Sequence, residues 1–288
     1  MQDFKEKKRT VKKAAVLLVI FLILLLALSA FFKSMALNYP EFVQSRNRPW
    51  VNIQSERNDS IDVLVLGDSE SYTTFSPMEI WQQDGISSFV CGQTGQEIEE
   101  TYYMLKTALR TQKPKIVVFE TNSMFQPQSV SEGIQKMIAQ TANYYLPVFL
   151  LHSMWQNWVM GPEKQQVYYK GFVVRDIVEP YTGGDYMEKT DRKEEISPIV
   201  RFYMDRIVKM CKEEGCSVIL YSAPSPHNYN YAKHNTLTEY AEQMGAAYVD
   251  FNLMTEELGI DWEKDSLDNG DHLNVLGAEK LSRYFGSY

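Results

Sequence analysis

The chain has 288 residues, enough for one large domain or two small ones. Hydrophobic residues make up 44% and charged residues 23%, an ordinary globular composition that excludes wholesale disorder. The three cysteines contain no Cys-x-x-Cys pair, which excludes a zinc ribbon and a disulfide scaffold. A net charge of −8 argues against a nucleic-acid partner, because such proteins carry a basic face.

The N-terminus predicts a membrane anchor. Residues 1–13 carry six basic and two acidic groups, a net charge of +4, so the other 275 residues carry −12. Residues 14–32 form a 19-residue run without a charge, and a helix of that length spans roughly 28 Å, about the hydrocarbon thickness of a bilayer. Basic residues before the run predict a cytoplasmic segment at 1–13 and an extracytoplasmic domain from Lys33 onward.

A cleaved signal peptide is the alternative interpretation of this run. Signal peptides have a shorter apolar core, followed by small residues at the cleavage site. Here the apolar run is longer and is followed by bulky residues, although Ser34-Met35-Ala36 resembles a weak cleavage site. The pattern favours an uncleaved single-pass anchor at 14–32, and the signal peptide stays open.

The rest of the chain predicts a stalk followed by one α/β domain. Residues 33–60 are polar and irregular, which is typical of a stalk. Within 61–288, β-rich runs predict strands at 61–66, 87–91, 115–120, 217–222 and 247–251. Amphipathic stretches predict helices at 97–110, 199–212, 236–244 and 275–285. This alternation predicts a three-layer α/β sandwich with a mostly parallel sheet.

An aromatic-rich stretch at about 123–196 interrupts the alternation. It has no clean period of 2 or 3.6 residues. We interpret it as an insertion over the carboxyl edge of the sheet, where α/β proteins bind ligands. A packing subdomain is the alternative.

A serine follows the first predicted strand. Val65-Leu66-Gly67-Asp68-Ser69-Glu70 runs from a buried strand directly into a small polar turn. A serine there lies at the edge of the sheet that binds ligands, and it becomes a nucleophile if a base lies beside it. A plain turn is the alternative.

A histidine lies in an acidic loop before the last predicted helix. The loop Asp268-Asn269-Gly270-Asp271-His272-Leu273-Asn274 suits a general base that a carboxylate orients. Leu66-Gly67-Asp68-Ser69-Glu70, together with His272-Leu273-Asn274, Gly277 and Ala278, resembles the SGNH (GDSL-type) hydrolase family over roughly residues 61–285. More narrowly, the chain is similar to the membrane-anchored bacterial branch, which includes the extracellular protein of lipoteichoic acid D-alanylation and SGNH partners of cell-surface O-acyltransferases.

The resemblance implies a flavodoxin-like (SGNH) sheet and a set of site residues. Ser69 matches the family's nucleophile and His272 its base. Gly95 and Asn122 match the residues that complete the oxyanion hole in the family. Glu120 and Thr121 replace the start of the family's usual Gly-x-Asn-Asp string.

The acid that would orient His272 is open between two residues. The family has an aspartate three residues before the histidine, where this chain has Asn269. Asp268, one residue earlier, reaches the ring if Gly270 lets the loop bulge. Asp271 is adjacent to the histidine, and adjacent side chains in an extended loop usually diverge. Asp268 is therefore the prediction and Asp271 the second choice.

The resemblance implies a membrane-anchored, extracytoplasmic serine esterase or O-acyltransferase. Its substrate would be O-acyl groups of a cell-surface polysaccharide or teichoic acid. The alternative is a non-catalytic extracellular partner of a multi-pass membrane O-acyltransferase. The four histidines lack metal-ligand spacing, so no metal or cofactor is expected. Whether Cys211 and Cys216 form a disulfide is left open.

Overall fold

The computed structural model describes residues 2–163 and 168–286. Helix α1 (Gln2–Asn38) comes first, and two 3₁₀ turns (Pro40–Phe42 and Ser45–Asn47) lead to α2 (Arg48–Ser55). The domain continues with β1 (Val63–Gly67), α3 (Ser69–Thr74), α4 (Pro77–Asp84), β2 (Ser88–Gly92), α5 (Ile98–Ala108), β3 (Ile116–Glu120), α6 (Val130–Tyr145), α7 (Val148–Leu151), α8 (Met154–Met160), β4 (Tyr168–Tyr169), β5 (Phe172–Val173), α9 (Pro198–Glu213), β6 (Ser217–Ser222), α10 (Tyr231–Met244), β7 (Ala247–Asp250) and α11 (Val275–Gly286).

The central sheet is parallel and has the strand order β2-β1-β3-β6-β7. Its five strands lie where the sequence predicts them, with boundaries within two residues. In β1, Leu64 and Leu66 face one core while Val63 and Val65 face the other. Burial on both faces is why this strand is a continuous apolar run. Without the β4–β5 hairpin the order is 2-1-3-4-5, that of flavodoxin-like sheets, so the predicted fold class is confirmed.

Helices cover both faces of the sheet. Helices α2, α5, α9 and α10 contribute to the core on one face, and α3, α4 and α11 contribute to the core on the other. The four predicted helices are present as α5, α9, α10 and α11, although α10 begins five residues before its predicted start. The three-layer sandwich brings the carboxyl ends of all five parallel strands to one edge.

The prediction of an irregular stalk at 33–60 is wrong. Helix α1 extends to Asn38, and α2 buries Val51 and Ile53 completely in the core that α5 also lines. The guanidinium of Arg48 is buried as well and donates to the carbonyls of Val43 (3.1 Å) and Glu41 (3.3 Å). Polar composition misled the prediction because the charge of this arginine is satisfied by backbone acceptors rather than by water.

The stretch 123–196 divides into two parts. Helix α6 packs against α5 and α9 in the helical layer, so this part does not cover the carboxyl edge as predicted. The segment after β5 does reach that edge: Glu179 N donates to Ser266 O (3.2 Å), and Asn269 N donates to Glu179 O (2.9 Å). The insertion therefore approaches the predicted histidine loop only through its second part.

Helix α1 contains a stretch, Glu6–Asn38, that is long and apolar enough to cross a membrane. By length and composition it fits an anchor or a signal sequence. Only 6% of its most apolar 18-residue segment is buried against the rest of the described chain, so the surface of this helix is available to lipid. Cys91, Cys211 and Cys216 are buried free thiols, so Cys211 and Cys216 are unpaired here.

Candidate active site

Ser69 and Asn122 lie at the point where the strand order of the sheet reverses. Ser69 follows β1 and Asn122 follows β3, and the crevice between two such strands is where doubly wound α/β proteins bind ligands. Asp68 connects the two residues. Its Oδ1 accepts from Glu70 N (3.1 Å) and caps α3, while its Oδ2 accepts from Asn122 Nδ2 (2.9 Å). The structure therefore brings Asn122 to the Ser69 turn.

The turn after β1 requires glycine. Gly67 has φ = +153°, and a Cβ there would lie 2.6 Å from Glu120 Cβ and 2.9 Å from Ser71 Cβ. Both distances are shorter than the contacts that Cβ atoms make with non-bonded atoms in proteins. Glycine thus lets β1 pass close to β3 and lets α3 begin directly at Ser69.

The loop before α11 pairs His272 with Asp268. His272 Nδ1 lies 2.7 Å from Asp268 Oδ2, and His272 N donates to Asp268 Oδ1 (2.7 Å). The loop bulges because Asn269 and Gly270 both have positive φ, +58° and +91°. Asp271 Oδ2 lies farther from the ring nitrogen, at 3.5 Å. The geometry favours Asp268 as the orienting acid, and its catalytic role stays a prediction.

A third loop joins the histidine to the serine turn. Asn228 follows β6, and its Nδ2 lies 2.7 Å from Glu70 Oε1 and 2.7 Å from Asp271 Oδ1. Ligand atoms of Glu70, Asp271 and His272 lie within 4.8 Å of one another. The residue directly after Ser69 is therefore a neighbour of the predicted base.

The hydroxyl of Ser69 has no hydrogen-bond partner among the residues that the structure describes, and its side chain is half-buried. In unliganded enzymes the hydrogen bond between nucleophile and base is often long, and it tightens when substrate binds. With Nδ1 held by Asp268, the other ring nitrogen of His272 is left for proton transfer.

Three buried carboxyl groups surround the turn. Asp68 is 2% exposed, and Glu70 and Glu120 are fully buried. Burial raises the pKa of Asp68 to about 6 and the pKa of Glu70 to about 8. Burial also raises the pKa of Glu120, and the charges of the other two groups raise it further. Glu120 accepts hydrogen bonds from the Tyr229 hydroxyl and from Asn122 N (2.9 Å).

Three nearby carboxyl groups, Glu70, Asp268 and Asp271, raise the pKa of His272. Burial of the ring lowers its pKa, but the charges of Glu70, Asp271 and Asp268, with the Asp268 hydrogen bond, together raise it to about 9. For Asp268, burial works against ionisation, yet the hydrogen bond from His272 holds the pKa of the carboxyl below its usual value. Near neutral pH the dyad is therefore mostly an ion pair.

Gly95 lies in the exposed loop after β2, with φ = +57°. This loop flanks a polar cavity of about 70 Å³, which Tyr72, Thr94 and Arg175 help to line. The Nε of Arg175 is buried and has no partner in the part of the chain that the structure describes. The cavity lies beside the loop that carries Gly95, and the oxyanion role of Gly95 stays a prediction.

Sequence reasoning missed Glu70, Glu120 and Asn228. Glu70 directly follows Ser69, and Glu120 ends the strand β3 next to β1. These positions could have indicated that both carboxyl groups lie near the serine. Asn228 lies in a proline-containing loop after β6, a parallel strand that ends at the same edge of the sheet. None of the three has a local motif, because their roles come from packing between loops.

Glu70, Asp271 and His272 are described residues that could together hold a metal ion. Carboxylate oxygen and imidazole nitrogen are ligands that Zn²⁺ accepts. Such an ion would occupy the imidazole nitrogen that a general base needs. The ring therefore cannot serve both purposes at once.

No family model matches the sequence, and no curated protein matches it. Similar solved structures include a lipase/acylhydrolase from Enterococcus faecalis, with 12% identity and a TM-score of 0.42, covering 79% of this chain and 94% of that one. A GDSL-like lipase from Bacteroides thetaiotaomicron has 9% identity and a TM-score of 0.41, covering 84% and 96%. The acetyl xylan esterase AlAXEase has 12% identity and a TM-score of 0.39, covering 78% and 96%.

Proposed function

We propose that the chain is a membrane-anchored, extracytoplasmic serine esterase or O-acyltransferase of the SGNH type. The observation that carries the proposal is the His272–Asp268 pair, 2.7 Å apart, beside the Ser69 turn. Asn228 joins the two loops through Glu70 and Asp271. A nucleophile, a base and an orienting acid on one edge of the sheet support acyl transfer.

In the proposed mechanism, neutral His272 takes the proton of Ser69 as Oγ attacks the carbonyl carbon of an ester. The backbone N–H groups of Ser69 and Gly95 and the side chain of Asn122 bind the oxyanion. One N–H of the Asn122 amide already binds Asp68, which leaves the second for this role. Oxyanion donors of this kind contribute about 3–4 kcal/mol each.

The second half of the reaction releases the acyl group. As the tetrahedral intermediate collapses, the ester C–O bond breaks and His272 returns its proton to the leaving alcohol. The acyl-serine is then attacked by water, which makes the protein an esterase, or by an acceptor hydroxyl, which makes it a transferase. His272 serves as the base for that attack as well.

The location and substrate are part of the proposal. The basic residues at 1–13 before the apolar run favour a cytoplasmic N-terminus and an extracytoplasmic domain. The substrate class follows from the resemblance to the membrane-anchored SGNH branch: O-acyl groups on a cell-surface polysaccharide or teichoic acid. The active site would then face the polymer layer outside the membrane.

A non-catalytic extracellular partner of a multi-pass membrane O-acyltransferase is the second candidate. It is favoured by the pKa of about 9 for His272, because at neutral pH most of the rings are then imidazolium, which cannot accept the proton of Ser69. The same residues would then serve to bind the acylated polymer rather than to cleave it.

Covalent labelling of the full chain in detergent with a fluorophosphonate separates the two candidates. We expect Ser69 to be labelled at alkaline pH, and we expect labelling to be lost in Ser69→Ala and to fall sharply in His272→Ala. Ser55→Ala is the control, because that hydroxyl donates to Val51 O within α2. If the folded wild-type chain takes no label between pH 7 and 10, the proposal of a serine enzyme is wrong and the proposal of a non-catalytic partner stands.

A further inference from the structure

Helices α7 and α8 present an apolar surface that no residue in the described part of the chain covers. Six large side chains, five on these helices and one at the end of α6, are between 45% and 78% exposed, and we call them the α7–α8 face: Tyr145, Phe149, Trp155, Trp158, Val159 and Met160. Soluble monomers rarely expose so many large apolar side chains in one place, and where they do the patch usually marks an interaction site.

The charge pattern of the sequence singles out the same segment. Residues 137–162 contain no Asp, Glu, Lys or Arg, and this 26-residue run is the longest of its kind in the chain. At the chain's overall 23% of charged residues, about six would be expected in such a run. A domain with a net charge of −12 thus keeps one face free of charge.

The α7–α8 face lies next to the outer end of α1. Helix α7 packs against α1, and Val148 N lies 3.4 Å from Ser29 Oγ. Ser29 is within the uncharged run that ends at Phe32, roughly 4.5 Å along the helix axis from its end. If α1 spans a membrane, α7 lies at the depth where hydrocarbon meets headgroups.

Helix α8 is held beside the residues that follow α1. Asn157 Nδ2 donates to Phe42 O (3.1 Å), and the rings of Trp158 and Phe42 lie 6.5 Å apart. Tryptophan and tyrosine concentrate at the headgroup level of membranes, where one end of the ring is apolar and the other is wet. The composition of the α7–α8 face matches that environment.

We propose that the α7–α8 face lies in the outer interface of the lipid bilayer, alongside α1. The inference rests on the proposed anchor role of α1. Interfacial helices bury their apolar side by about 5–10 Å, so the domain is held against the membrane at two points rather than by a flexible tether. That arrangement agrees with the folded segment at Pro40–Phe42 and Arg48–Ser55, which leaves no stalk.

Depth-dependent quenching tests the proposal on the full chain in lipid nanodiscs. A fluorophore is attached to Val159→Cys, and the three native thiols are buried and do not compete. Leu17→Cys on α1 is the membrane control. Leu253→Cys is the aqueous control, since this residue is 46% exposed and follows β7 at the sheet edge opposite β2. Lipids that carry a spin label near the headgroup are the quencher.

We expect the fluorophore at Val159 to lose at least half of its emission and the one at Leu253 to lose less than a tenth. Quenching at Leu17 without quenching at Val159 overturns the interfacial position and leaves the anchor intact. Quenching at neither removes the anchor and the interfacial position together. Fluorophosphonate labelling of Ser69 is independent of all three results, so failure of the proposed chemistry is recognised separately.

A second measurement avoids attached fluorophores. The tryptophan emission of the chain should shift to shorter wavelength when it moves from detergent-free aggregates into nanodiscs. The shift should be much smaller in a chain with Trp155→Phe and Trp158→Phe. An equal shift in both chains contradicts the inference, because the remaining tryptophans then account for it.

Discussion

Replacing Glu70 by glutamine should make His272 a base at lower pH. Glu70 is fully buried, and its charge is the largest single effect that raises the pKa of His272 to about 9. The amide keeps the acceptor oxygen that binds Asn228 Nδ2, so the loops should stay joined. The substitution removes the negative charge that an ionised Glu70 places next to the ring, and because burial raises the pKa of Glu70 to about 8, that charge develops mainly as the pH rises towards this value.

The magnitude follows from the fraction of His272 that is neutral. With a pKa of about 9, roughly 2–3% of the rings are neutral at pH 7.4, and at the ordinary value of 6.5 about 90% would be neutral. The ceiling on the gain is therefore about 35-fold. Because Asp268 and Asp271 remain and also raise the pKa of His272, the gain stays well below this ceiling. It should be largest at about pH 8, where Glu70 becomes ionised in the wild type.

The assay is the rate of fluorophosphonate labelling of Ser69 between pH 6 and 10. The sign follows from the base: labelling needs neutral His272, so the rate rises with pH and levels off above the folded-state pKa. Glu70→Gln should shift this rise to lower pH and leave the plateau unchanged. Because the titrations of Glu70 and His272 are coupled, the pH at the midpoint of the wild-type rate profile is a property of the pair rather than of His272 alone.

Glu99→Gln is the matched control. Glu99 is also fully buried, and one of its carboxyl oxygens has no partner among the residues that the structure describes. Burial raises its pKa as well, but it lies on α5 against Gln128. Its pH profile should equal that of the wild type. A Glu70→Gln profile that stays in place, or moves to higher pH, refutes the electrostatic reasoning.

Further predictions concern the acid, the turn, the buried segment and metal binding. Asp268→Asn should lower the rate of p-nitrophenyl acetate hydrolysis by about 10⁴-fold, because the asparagine favours the wrong tautomer of the His272 ring. Asp271→Asn should change this rate little, and the reverse ranking would show that Asp271 is the orienting acid. Gly67→Ala should abolish labelling and lower the melting temperature, since its Cβ would lie 2.6 Å from Glu120 Cβ; a variant that labels normally contradicts the close approach. Ile53→Ala should destabilise the domain by about 2–5 kcal/mol in denaturant unfolding, because this side chain is fully buried, whereas a loose stalk would give no change. Zn²⁺ should slow labelling and a chelator should restore it, because an ion at Glu70, Asp271 and His272 blocks the base; an unchanged rate shows that no ion binds there.

The strands could be predicted because each is apolar on both faces. The five runs are short, continuous and bounded by turn residues. Helices bury both faces of the sheet, so both the odd and the even positions of a strand are apolar. Helix α2 could not be predicted in this way. Its buried Arg48 makes the segment polar in composition, and only the carbonyls of Val43 and Glu41, supplied by the folded chain, make that burial acceptable.

The chemistry of the site could be predicted only where it is local. Ser69 follows its strand, and Asp268 lies four residues before His272, so both are readable from spacing. The positive φ of Asn269 and Gly270 then closes that spacing to 2.7 Å. The approach of Glu70 to the histidine joins residues about 200 positions apart, and nothing in either segment encodes it alone.

The class of fold, the apolar N-terminal run and the serine and histidine that we propose for catalysis could all be predicted without a structure. These features depend on periodicity, composition and short-range spacing. Packing of the chain was needed to show that residues 40–55 belong to the core, that nearby carboxylates raise the pKa of His272 to about 9, and that an apolar face lies beside α1. The physical reason is that burial and charge proximity are properties of the packed chain: the same glutamate is an ordinary surface acid until three loops enclose it.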